Sequence, residues 1–397
     1  MSASAVESSR RPIIVQKYGG SSVADPERIR QVAERVVARK RTGVDVVVVV
    51  SAMGKTTDQL LCLAREVAAE PSRRELDMLL SVGERTTAAL LSMAVHALGE
   101  PAVSLTGSQC GILTTDSHAR AQIMEVRPYR VQDELEKGSV VIVAGFQGTS
   151  YRRDITTLGR GGSDLTAVAL AAALGAEACE VYSDVDGIYT ADPRVVPEAR
   201  RLGAVTHDAL EELARNGAKV MHREAVAWAR RHGVALYARS TFAPSTDRGT
   251  EVRVDLPPAP TPVVAITSRA GLLRVDAEGP YATDVEGVLD DVPWCHRIAS
   301  ATAVRWLVSS DDVHEMAPLR ARLEAAGART EHPAGSVSVV GHGLGEYASV
   351  RRVIGALFAG HPSVLGPLSW TAWLSGEQAP ELVRRLHSAL LSDAPRQ

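Results

Sequence analysis

Short apolar runs alternate with segments of helical periodicity along the first 250 residues. The run 45–51 contains five consecutive valines, which is typical of a strand covered on both faces of a parallel sheet. Before it, the apolar residues of 29–37 fall at helical spacing, and Asp25 and Pro26 stand where an N-cap and a first-turn proline belong. A strand, a glycine-bearing loop, a helix and a second strand make a βαβ unit.

The same alternation continues to residue 239. Predicted strands are 13–16, 45–51, 103–105, 140–144, 179–182 and 235–239. Predicted helices follow Asp25, cover most of 76–98, run from the loop 159–164 to Gly175, and occupy 208–215 and 220–232. This order predicts a layered α/β domain with a mainly parallel sheet, of about 250 residues.

The pattern changes after Leu256. The segment 256–262 contains four prolines and predicts a stiff linker. Beyond it, predicted strands at 272–275, 305–308, 336–340 and 370–374 alternate with predicted helices at 313–326, 348–359 and 378–391. This order suits a smaller ferredoxin-like α+β region. We therefore divide the chain into a flexible tail (1–12), the α/β domain (13–252), a Pro-rich linker (253–262) and the α+β region (263–397).

Composition narrows the class of protein. The 397 residues include 44 Lys plus Arg and 47 Asp plus Glu, so the basic excess typical of nucleic-acid binding is missing. The longest purely apolar run, Ala167–Leu174, is too short to span a bilayer, and the polar N-terminus lacks an apolar signal segment. We expect a cytoplasmic protein without nucleic-acid or membrane partners. Widely spaced cysteines predict buried, reduced thiols, not a metal or redox site: Cys62, Cys110, Cys179 and Cys295.

Three glycine-bearing loops follow predicted strands of the α/β domain. Loops at the carboxyl ends of parallel strands are where open α/β sheets bind ligands, and glycine lets backbone N–H groups approach a phosphate. Lys17–Gly20 adds a charge that suits phosphoryl transfer, which requires neutralisation and alignment. Gly159–Asp164 opens a helix whose dipole favours an anion, and its Arg160 is a candidate carboxylate clamp. Ser183–Arg194 is rich in turn-forming residues and is a candidate nucleotide loop.

Each of these features also has an ordinary structural interpretation. Lys17–Gly20 taken alone is more often a plain strand-to-helix turn, and Asp164 is more often a first-turn acid that complements the helix dipole. The chain has no complete Walker motif, no dinucleotide-binding glycine motif after the first strand and no nucleophile elbow. Three histidines stand apart from any ligand grouping, so we interpret them as structural or surface residues: His207, His222 and His232.

Taken together, six segments resemble the signature of aspartate kinases, a branch of the amino-acid kinase fold. They are Val15–Val23, Val50–Asp58, Ser81–Arg85, Thr156–Asp164, Tyr182–Arg194 and Gly217–Val220. The resemblance spans 13–250. It implies an amino-acid kinase domain that transfers the γ-phosphate of ATP to the β-carboxylate of L-aspartate, giving 4-phospho-L-aspartate. It also implies Mg²⁺ held by phosphate oxygens and water, without a metal site made by the protein.

The resemblance assigns roles residue by residue. Lys17 would neutralise charge on the transferring phosphoryl group, and Asp164 would organise that lysine. Glu84 would bind the ammonium of aspartate, and Arg160 its α-carboxylate. The other substrate-binding candidates are Ser51, Thr57, Gly161, Gly162 and Ser163. The nucleotide-binding candidates are Lys17, Tyr18, Gly19, Gly20, Ser183, Asp184, Tyr189, Asp192, Arg194 and Lys219.

The C-terminal third departs from the family pattern. Aspartate kinases carry two small ACT domains there, which bind feedback amino acids and pair subunits. Gly335–Gly341 resembles the start of the second, but Val285–Ala301 has little likeness to the effector segment of the first. The resemblance predicts a homodimer through a diverged ACT-like region, with weakened lysine and threonine feedback. Two alternatives stay open: a kinase of the same fold for another carboxylate or amino acid, and a catalytically silent regulatory subunit.

Overall fold

The computed structural model describes residues 11–392 apart from 245, 255, 257–260, 291, 293, 301, 311, 312, 314 and 315. The chain divides into two compact units. The first unit contains the described residues up to Gly187 together with Val220–Val254, and the second contains Ile188–Lys219 together with the described residues after Asp255. The segment 188–219 therefore packs with the C-terminal residues. Most of the predicted tail and much of the predicted linker lie outside the described residues.

The strands are β1 (Ile13–Tyr18), β2 (Asp45–Val50), β3 (Ala102–Leu105), β4 (Ile112–Thr114), β5 (Ile123–Val126), β6 (Val140–Ala144), β7 (Gln147–Ser150), β8 (Ile155–Thr157), β9 (Ala178–Ser183), β10 (Ala204–Thr206), β11 (Leu236–Ser240), β12 (Thr250–Arg253), β13 (Val263–Glu278), β14 (Trp294–Ala299), β15 (Ala303–Ser309), β16 (Arg329–Gly341), β17 (Ser363–Leu365) and β18 (Ser369–Ser375). The helices are α1 (Pro26–Lys40), α2 (Thr56–Val67), α3 (Arg73–Leu80), α4 (Val82–Ala97), α5 (Tyr129–Glu136), α6 (Gly162–Leu174), α7 (His207–Arg215), α8 (Arg223–His232), α9 (Ala282–Leu289), α10 (Met316–Ala325), α11 (Ala348–Leu357) and α12 (Ala379–Leu391).

The main sheet of the first unit runs in the order β12-β11-β9-β1-β2-β6-β3. Neighbouring strands are parallel except β11 and β12. In β2 every residue of Val46–Val50 is buried, which confirms the two-sided burial predicted from the valine run. Because β1 and β2 are parallel and in register, they end together, and Ser51 N donates to Tyr18 O at 3.1 Å. The loop after β1 therefore starts beside the loop after β2.

Helices cover both faces of this sheet. α1 and α4 pack on one face, and α1 begins as predicted, because the Asp25 carboxylate accepts from Arg28 N at 2.9 Å and Pro26 is the first helical residue. α6 packs on β1 and β9 and buries every residue of Gly162–Ala171. A helix of small apolar residues has no polar side to turn to solvent. Its first turn is therefore fixed relative to the sheet.

A smaller sheet in the first unit, with strand order β5-β4-β7-β8, is missing from the sequence predictions. Strands of three or four residues contain too few alternating positions to give a periodic signal. The helix α2 is also missing from the sequence predictions. None of its residues is buried, so its apolar positions do not mark a face that packs on the core. The predicted helix over 76–98 is two helices, α3 and α4, which meet at Ser81. These elements matter for the site because β8 leads directly into the 159–164 loop.

The second unit contains an antiparallel sheet with the order β14-β15-β13-β16-β18-β17. The long strands β13 and β16 pass through both halves of it and change register between Arg269 and Arg274. One half reads β13, α9, β14, β15, α10, β16, and the other reads β16, α11, β17, β18, α12, with the start of β13 as its fourth strand. Both halves have the βαββαβ composition of a ferredoxin-like unit, which confirms the predicted α+β region.

Two sequence-based expectations need correction. The segment 285–301, which has little family likeness, still supplies the end of α9 and the edge strand β14 of the first ferredoxin-like unit. Cys62 is exposed on α2, whereas Cys110 and Cys179 are buried as expected. The expectation was wrong for Cys62 because α2 buries no residue; the side chain of Cys295 lies outside the described residues. Among the described residues, no helix is long and apolar enough to cross a membrane.

Candidate active site

Lys17 and Asp164 form the central ion pair of the first unit. Lys17 is in β1 and Asp164 in the first turn of α6, and Lys17 Nζ lies 2.6 Å from Asp164 Oδ1. The side chains are only 12% and 10% exposed. A Cβ placed on Gly19 would be 3.5 Å from Lys17 Nζ, so the ammonium lies against the backbone of the first glycine loop. The predicted association of Asp164 with this lysine is present.

His222 completes the support of Asp164, although the sequence pattern left it without a grouping. Its backbone N–H donates to Asp164 Oδ2 at 3.2 Å. Its ring packs against the glycine loop, since a Cβ on Gly161 would fall 2.1 Å from His222 Cγ. His222 caps α8, which starts at Arg223 and not at Val220 as predicted. The packing of α8 against α6 brings His222 to the loop, where its contacts are structural.

The backbone before α6 is bent in a way that suits glycine. Gly159 and Gly161 have φ angles of +75° and +72°, which L side chains rarely adopt. Gly162 begins the helix and is buried against Leu158 and Phe146. The N–H groups of a first helical turn lack partners within the helix and attract anions. Gly162 N already donates to Gly159 O at 3.1 Å, so an anion at this helix start would bind to N–H groups other than that of Gly162.

Glu84 lies in the first turn of α4 and is 4% exposed. Its Oε1 accepts from Ala52 N at 3.1 Å, which ties α4 to the loop after β2. Its Oε2 is buried and has no hydrogen-bond partner among the described residues. Burial raises the pKa of Glu84 to about 7, although hydrogen bonds from the backbone N–H groups of Glu84 and Ala52 act in the opposite direction. A buried carboxylate oxygen without a donor fits a cationic ligand group.

The other predicted aspartate-binding residues occupy the loops around this centre. Ser51 and Thr57 are half-buried, at the end of β2 and the start of α2. Ser163 is buried in α6, and its Oγ would lie 2.8 Å from a Cβ on Gly145, at the end of β6. Arg160 is exposed, so its guanidinium is open to a ligand. Among the described residues, no hydrogen bond connects Ser51, Thr57, Arg160 and Ser163 to one another.

Asp77 is a residue of this region that sequence reasoning missed. It is fully buried in α3 and accepts from three groups: His118 Nδ1 at 2.7 Å, Ala119 N at 3.1 Å and Thr157 Oγ1 at 2.5 Å. Ala119 has a positive φ of 69°. Asp77 therefore fixes the end of β8, three residues before Arg160. An acid on an amphipathic helix usually faces solvent, so no local pattern marks it.

The nucleotide candidates of the first unit differ in accessibility. Tyr18 is fully buried and its ring stacks on Tyr182 with centroids 4.8 Å apart, so only its backbone is available to a ligand. Gly19 N donates to Tyr182 O, and a Cβ on Gly20 would lie 2.8 Å from Ala52 O. The latter position therefore requires glycine. Ser183 is half-buried and Asp184 is exposed, both at the end of β9.

Four nucleotide candidates lie in the second unit: Tyr189, Asp192, Arg194 and Lys219. Asp192 and Arg194 form a bidentate ion pair, with Arg194 Nε and one terminal nitrogen 3.0 and 2.7 Å from the carboxylate oxygens. The Arg194 hydrogen bonds hold the pKa of Asp192 below its usual value, and the Lys219 ammonium acts in the same direction. Tyr189 forms an isolated β-bridge with Arg201. Asp192, Arg194 and Lys219 thus form one charged group.

Metal ligands were not expected from the sequence, and the described residues contain no group of three or more His, Cys, Asp or Glu side chains placed to hold a metal ion. A magnesium ion retains several waters and binds readily through one or two carboxylates together with substrate phosphates. The residues present are compatible with a magnesium ion that is bound mainly through water and substrate phosphates.

Comparison with known proteins identifies relatives for most of the chain. The model of the amino acid kinase family matches residues 12–239. The aspartokinase of Mycobacterium tuberculosis H37Rv is 59% identical over 232 residues. This alignment covers 58% of the chain and only 55% of that relative's length. The aspartokinase of Geobacillus stearothermophilus is 44% identical over 345 residues, or 84% of either chain. The second alignment is too long to be confined to the kinase segment.

The fold also has a solved counterpart. A crystal structure of Escherichia coli aspartokinase III in complex with aspartate and ADP aligns with a TM-score of 0.84, covering 96% of this chain and 100% of that one at 24% identity. At that identity the likeness establishes the fold. Because nearly all of the chain is covered, the shared fold includes the C-terminal region where the sequence diverges most.

Proposed function

Since the chain belongs to the amino acid kinase family and, within it, to the aspartokinases, we propose that it transfers the γ-phosphate of ATP to the β-carboxylate of L-aspartate, with 4-phospho-L-aspartate and ADP as products. The observation that carries the proposal is the Lys17–Asp164 ion pair at the start of α6. Phosphoryl transfer needs fixed positive charge and alignment more than covalent chemistry. A lysine whose position is set before the substrates bind supplies that charge.

Lys17 acts on the transferring phosphoryl group in this proposal. Asp164 holds the ammonium, and the His222 N–H holds Asp164, so the charge needs little reorganisation when negative charge shifts during transfer. N–H groups in the first turn of α6 beyond Gly162, whose own N–H donates to Gly159 O, add donors at this end of the helix. The proposal thus assigns Lys17 a direct role and Asp164 a positioning role.

Aspartate would be recognised by both of its α-substituents. The buried and unpartnered Oε2 of Glu84 suits the ammonium, which supplies the donor that this oxygen lacks. The exposed guanidinium of Arg160 suits the α-carboxylate through a bidentate pair. Ser51, Thr57 and Ser163 supply hydroxyl groups around them. The β-carboxylate is ionised at neutral pH, with an ordinary pKa of about 3.9, so it attacks without a strong general base.

The family resemblance assigns nucleotide binding to the Gly19–Gly20 backbone and to a set of side chains. These are Ser183, Asp184, Tyr189, Asp192, Arg194 and Lys219. The ligands named for the E. coli relative, aspartate and ADP, are the substrate and product proposed here. Magnesium would lie on the ATP phosphates and neutralise their charge.

The C-terminal region supports a proposal about regulation and assembly. Both ferredoxin-like halves are present, so the poor likeness of Val285–Ala301 concerns its side chains and not the presence of the unit. We infer a homodimer through the 263–397 region, with feedback by lysine and threonine weakened by the changed effector segment. We also infer that the enzyme works in the cytoplasm.

ADP release by the purified protein tests this function. ATP and magnesium are combined separately with L-aspartate, L-glutamate and other small carboxylates, and the rates are compared. The proposal predicts that aspartate gives the highest kcat/KM. A faster rate with another acceptor would favour a different kinase of the same fold, and tight ATP binding without turnover on any acceptor would favour a silent regulatory subunit.

A further inference from the structure

The nucleotide candidates of the second unit all lie on one segment, 188–219. We propose that helix α12 and the C-terminal sheet position this segment, with His387 and Asn216 as the positioning residues at its two ends. The inference rests on the proposed function, because that function makes the segment part of the nucleotide site. It assigns the C-terminal region an indirect part in ATP binding, through the position of this segment.

The first end of the segment is a closed loop. Leu202 N donates to Ile188 O at 2.8 Å, and Thr190 N donates to Arg200 O at 2.9 Å. Ile266 N, in β13, donates to Thr190 O at 2.8 Å. Thr190 is therefore joined through its backbone both to the far side of the loop and to the C-terminal sheet. It follows Tyr189 directly and stands two residues before the Asp192–Arg194 pair.

His387, in α12, holds the Thr190 side chain. Arg200 N donates to Thr190 Oγ1 at 2.9 Å, and the same oxygen lies 2.9 Å from His387 Nε2, which accepts the hydroxyl hydrogen when the ring carries its proton on Nδ1. Nε2 accepts only when the ring is neutral. His387 is 3% exposed, and burial, with the Arg200 charge as a second cause, lowers the pKa of His387. The ring is therefore neutral under ordinary conditions and fit for this role.

Further contacts tie the same loop to α12. The Arg200 guanidinium donates to Leu391 O at 2.6 Å, near the end of the helix. Ala191 and Val196 belong to the apolar cluster that contains Leu382 and Leu386 of α12. The loop thus has a polar anchor at Thr190 and an apolar one beside Asp192. The loop that carries the proposed nucleotide-binding side chains is therefore anchored to α12.

Asn216 anchors the other end and is 1% exposed. Its Nδ2 donates to Glu212 O at 2.8 Å. Its Oδ1 lies 3.0 Å from His296 Nε2 and 2.8 Å from Ser338 Oγ, which donates to it. The Ser338 hydroxyl also lies 2.7 Å from Thr371 Oγ1. Asn216 therefore joins the end of α7 to β14, β16 and β18.

The chain between Asn216 and Lys219 has little freedom to move. Gly217 has a φ of +113°, and a Cβ there would lie 2.5 Å from Ser268 O, in β13. Ala218 N donates to Leu213 O at 2.9 Å, so the backbone just before Lys219 is held by β13 on one side and by α7 on the other. A displacement of the C-terminal sheet or α12 should change nucleotide affinity first, because the residues proposed to bind aspartate lie outside this segment.

Replacement of His387 tests the inference on the full chain. His387→Ala removes the acceptor for Thr190, His387→Gln retains one, and Arg384→Ala is a matched control on the half-exposed side of the same helix. The affinity for ADP is measured by calorimetry and KM for both substrates by turnover. We expect His387→Ala to raise the ADP Kd and the ATP KM about 5–10-fold, as for one lost buried hydrogen bond. The aspartate KM should stay within about twofold, and His387→Gln should recover most of the loss.

Asn216→Ala is a second, independent test, and circular dichroism establishes that each variant is folded. It should also raise the ATP KM selectively. An unchanged ADP Kd in folded His387→Ala and Asn216→Ala, or a parallel rise of both KM values, would overturn the inference while the proposed function stands. A wild-type chain that fails to bind ADP would overturn both.

Discussion

Lys17 Nζ lies 2.6 Å from Asp164 Oδ1, although the two residues come from β1 and from the first turn of α6. The second carboxylate oxygen accepts from His222 N. Each partner is therefore fixed by a different element, and α6 cannot shift because its first turns are fully buried. The ammonium is held in place before any ligand is bound, which is what electrostatic stabilisation of a phosphoryl group requires.

Lys17→Ala should lower kcat by at least ~10²-fold, because it removes a preorganised charge. The measurement is steady-state turnover with ATP and aspartate. Lys55→Ala is the matched control, since Lys55 is an exposed lysine in the neighbouring loop and its loss should leave kcat unchanged. Near-normal turnover in Lys17→Ala would show that the ion pair is structural.

Gly161→Ala should destabilise the protein by about 2–4 kcal/mol, because a positive φ and overpacking each oppose it. The new Cβ would meet the His222 ring at 2.1 Å at a φ of +72°. The control is Gly175→Ala, which has a φ of +62° but nothing within 4 Å of the added Cβ. It should cost about 1 kcal/mol. Urea unfolding measures both.

A Gly161→Ala, His222→Ala double variant separates the two causes. It should recover the overpacking part of the loss while the φ penalty stays. If removal of the His222 ring recovers nothing, the contact between the ring and the loop is not the cause of the destabilisation.

Glu84 should make stability depend on pH. Its folded pKa of about 7 lies above the ordinary value of 4.5, so between these values the folded state binds the extra proton and stability falls as pH rises. The loss is complete above pH 7. Glu84→Gln should therefore gain up to about 3 kcal/mol over the wild type at pH 8, and much less at pH 4.5. Denaturant unfolding at both pH values checks this, and an equal difference at both would contradict it.

The same group should control the affinity for aspartate. A protonated Glu84 cannot pair with the substrate ammonium, so the aspartate KM should rise as pH falls from 8 to 6, by up to about tenfold per pH unit below the pKa. Glu84→Gln should have a high KM at pH 8 and a flat profile. A wild-type profile that is equally flat would remove Glu84 from substrate recognition.

Strong local signals made parts of the fold predictable. Asp25 and Pro26 fixed the start of α1, and the valines of β2 indicated a sheet covered on both faces. The segment from the glycine loop to Gly175 marked α6 at both ends. In each case one residue type has a steep preference for the position it occupies. The glycine loops were located by the same kind of signal.

Other parts depend on contacts that leave no local pattern. The short strands β4, β5, β7 and β8 carry too few residues for a periodicity, and β14 lies in a segment with little family likeness. In the sequence Asp77 resembles an ordinary solvent-exposed acid on a helix, and only the tertiary structure shows that Thr157 donates to it. Roles for Lys17 and Asp164 came from the family resemblance, since spacing alone did not distinguish an ion pair from a capping acid. The placement of 188–219 with the C-terminal residues required the tertiary structure.

The most direct test of the proposed function traps the acyl phosphate. Purified protein is incubated with ATP, magnesium, L-aspartate and hydroxylamine, with and without millimolar lysine plus threonine, and with Lys17→Ala as the blank. We predict aspartyl hydroxamate in the wild-type reaction, largely unchanged by the two amino acids, and very little in the blank. Strong suppression by lysine plus threonine would contradict weakened feedback, and the absence of hydroxamate from the wild-type reaction would contradict an aspartate kinase.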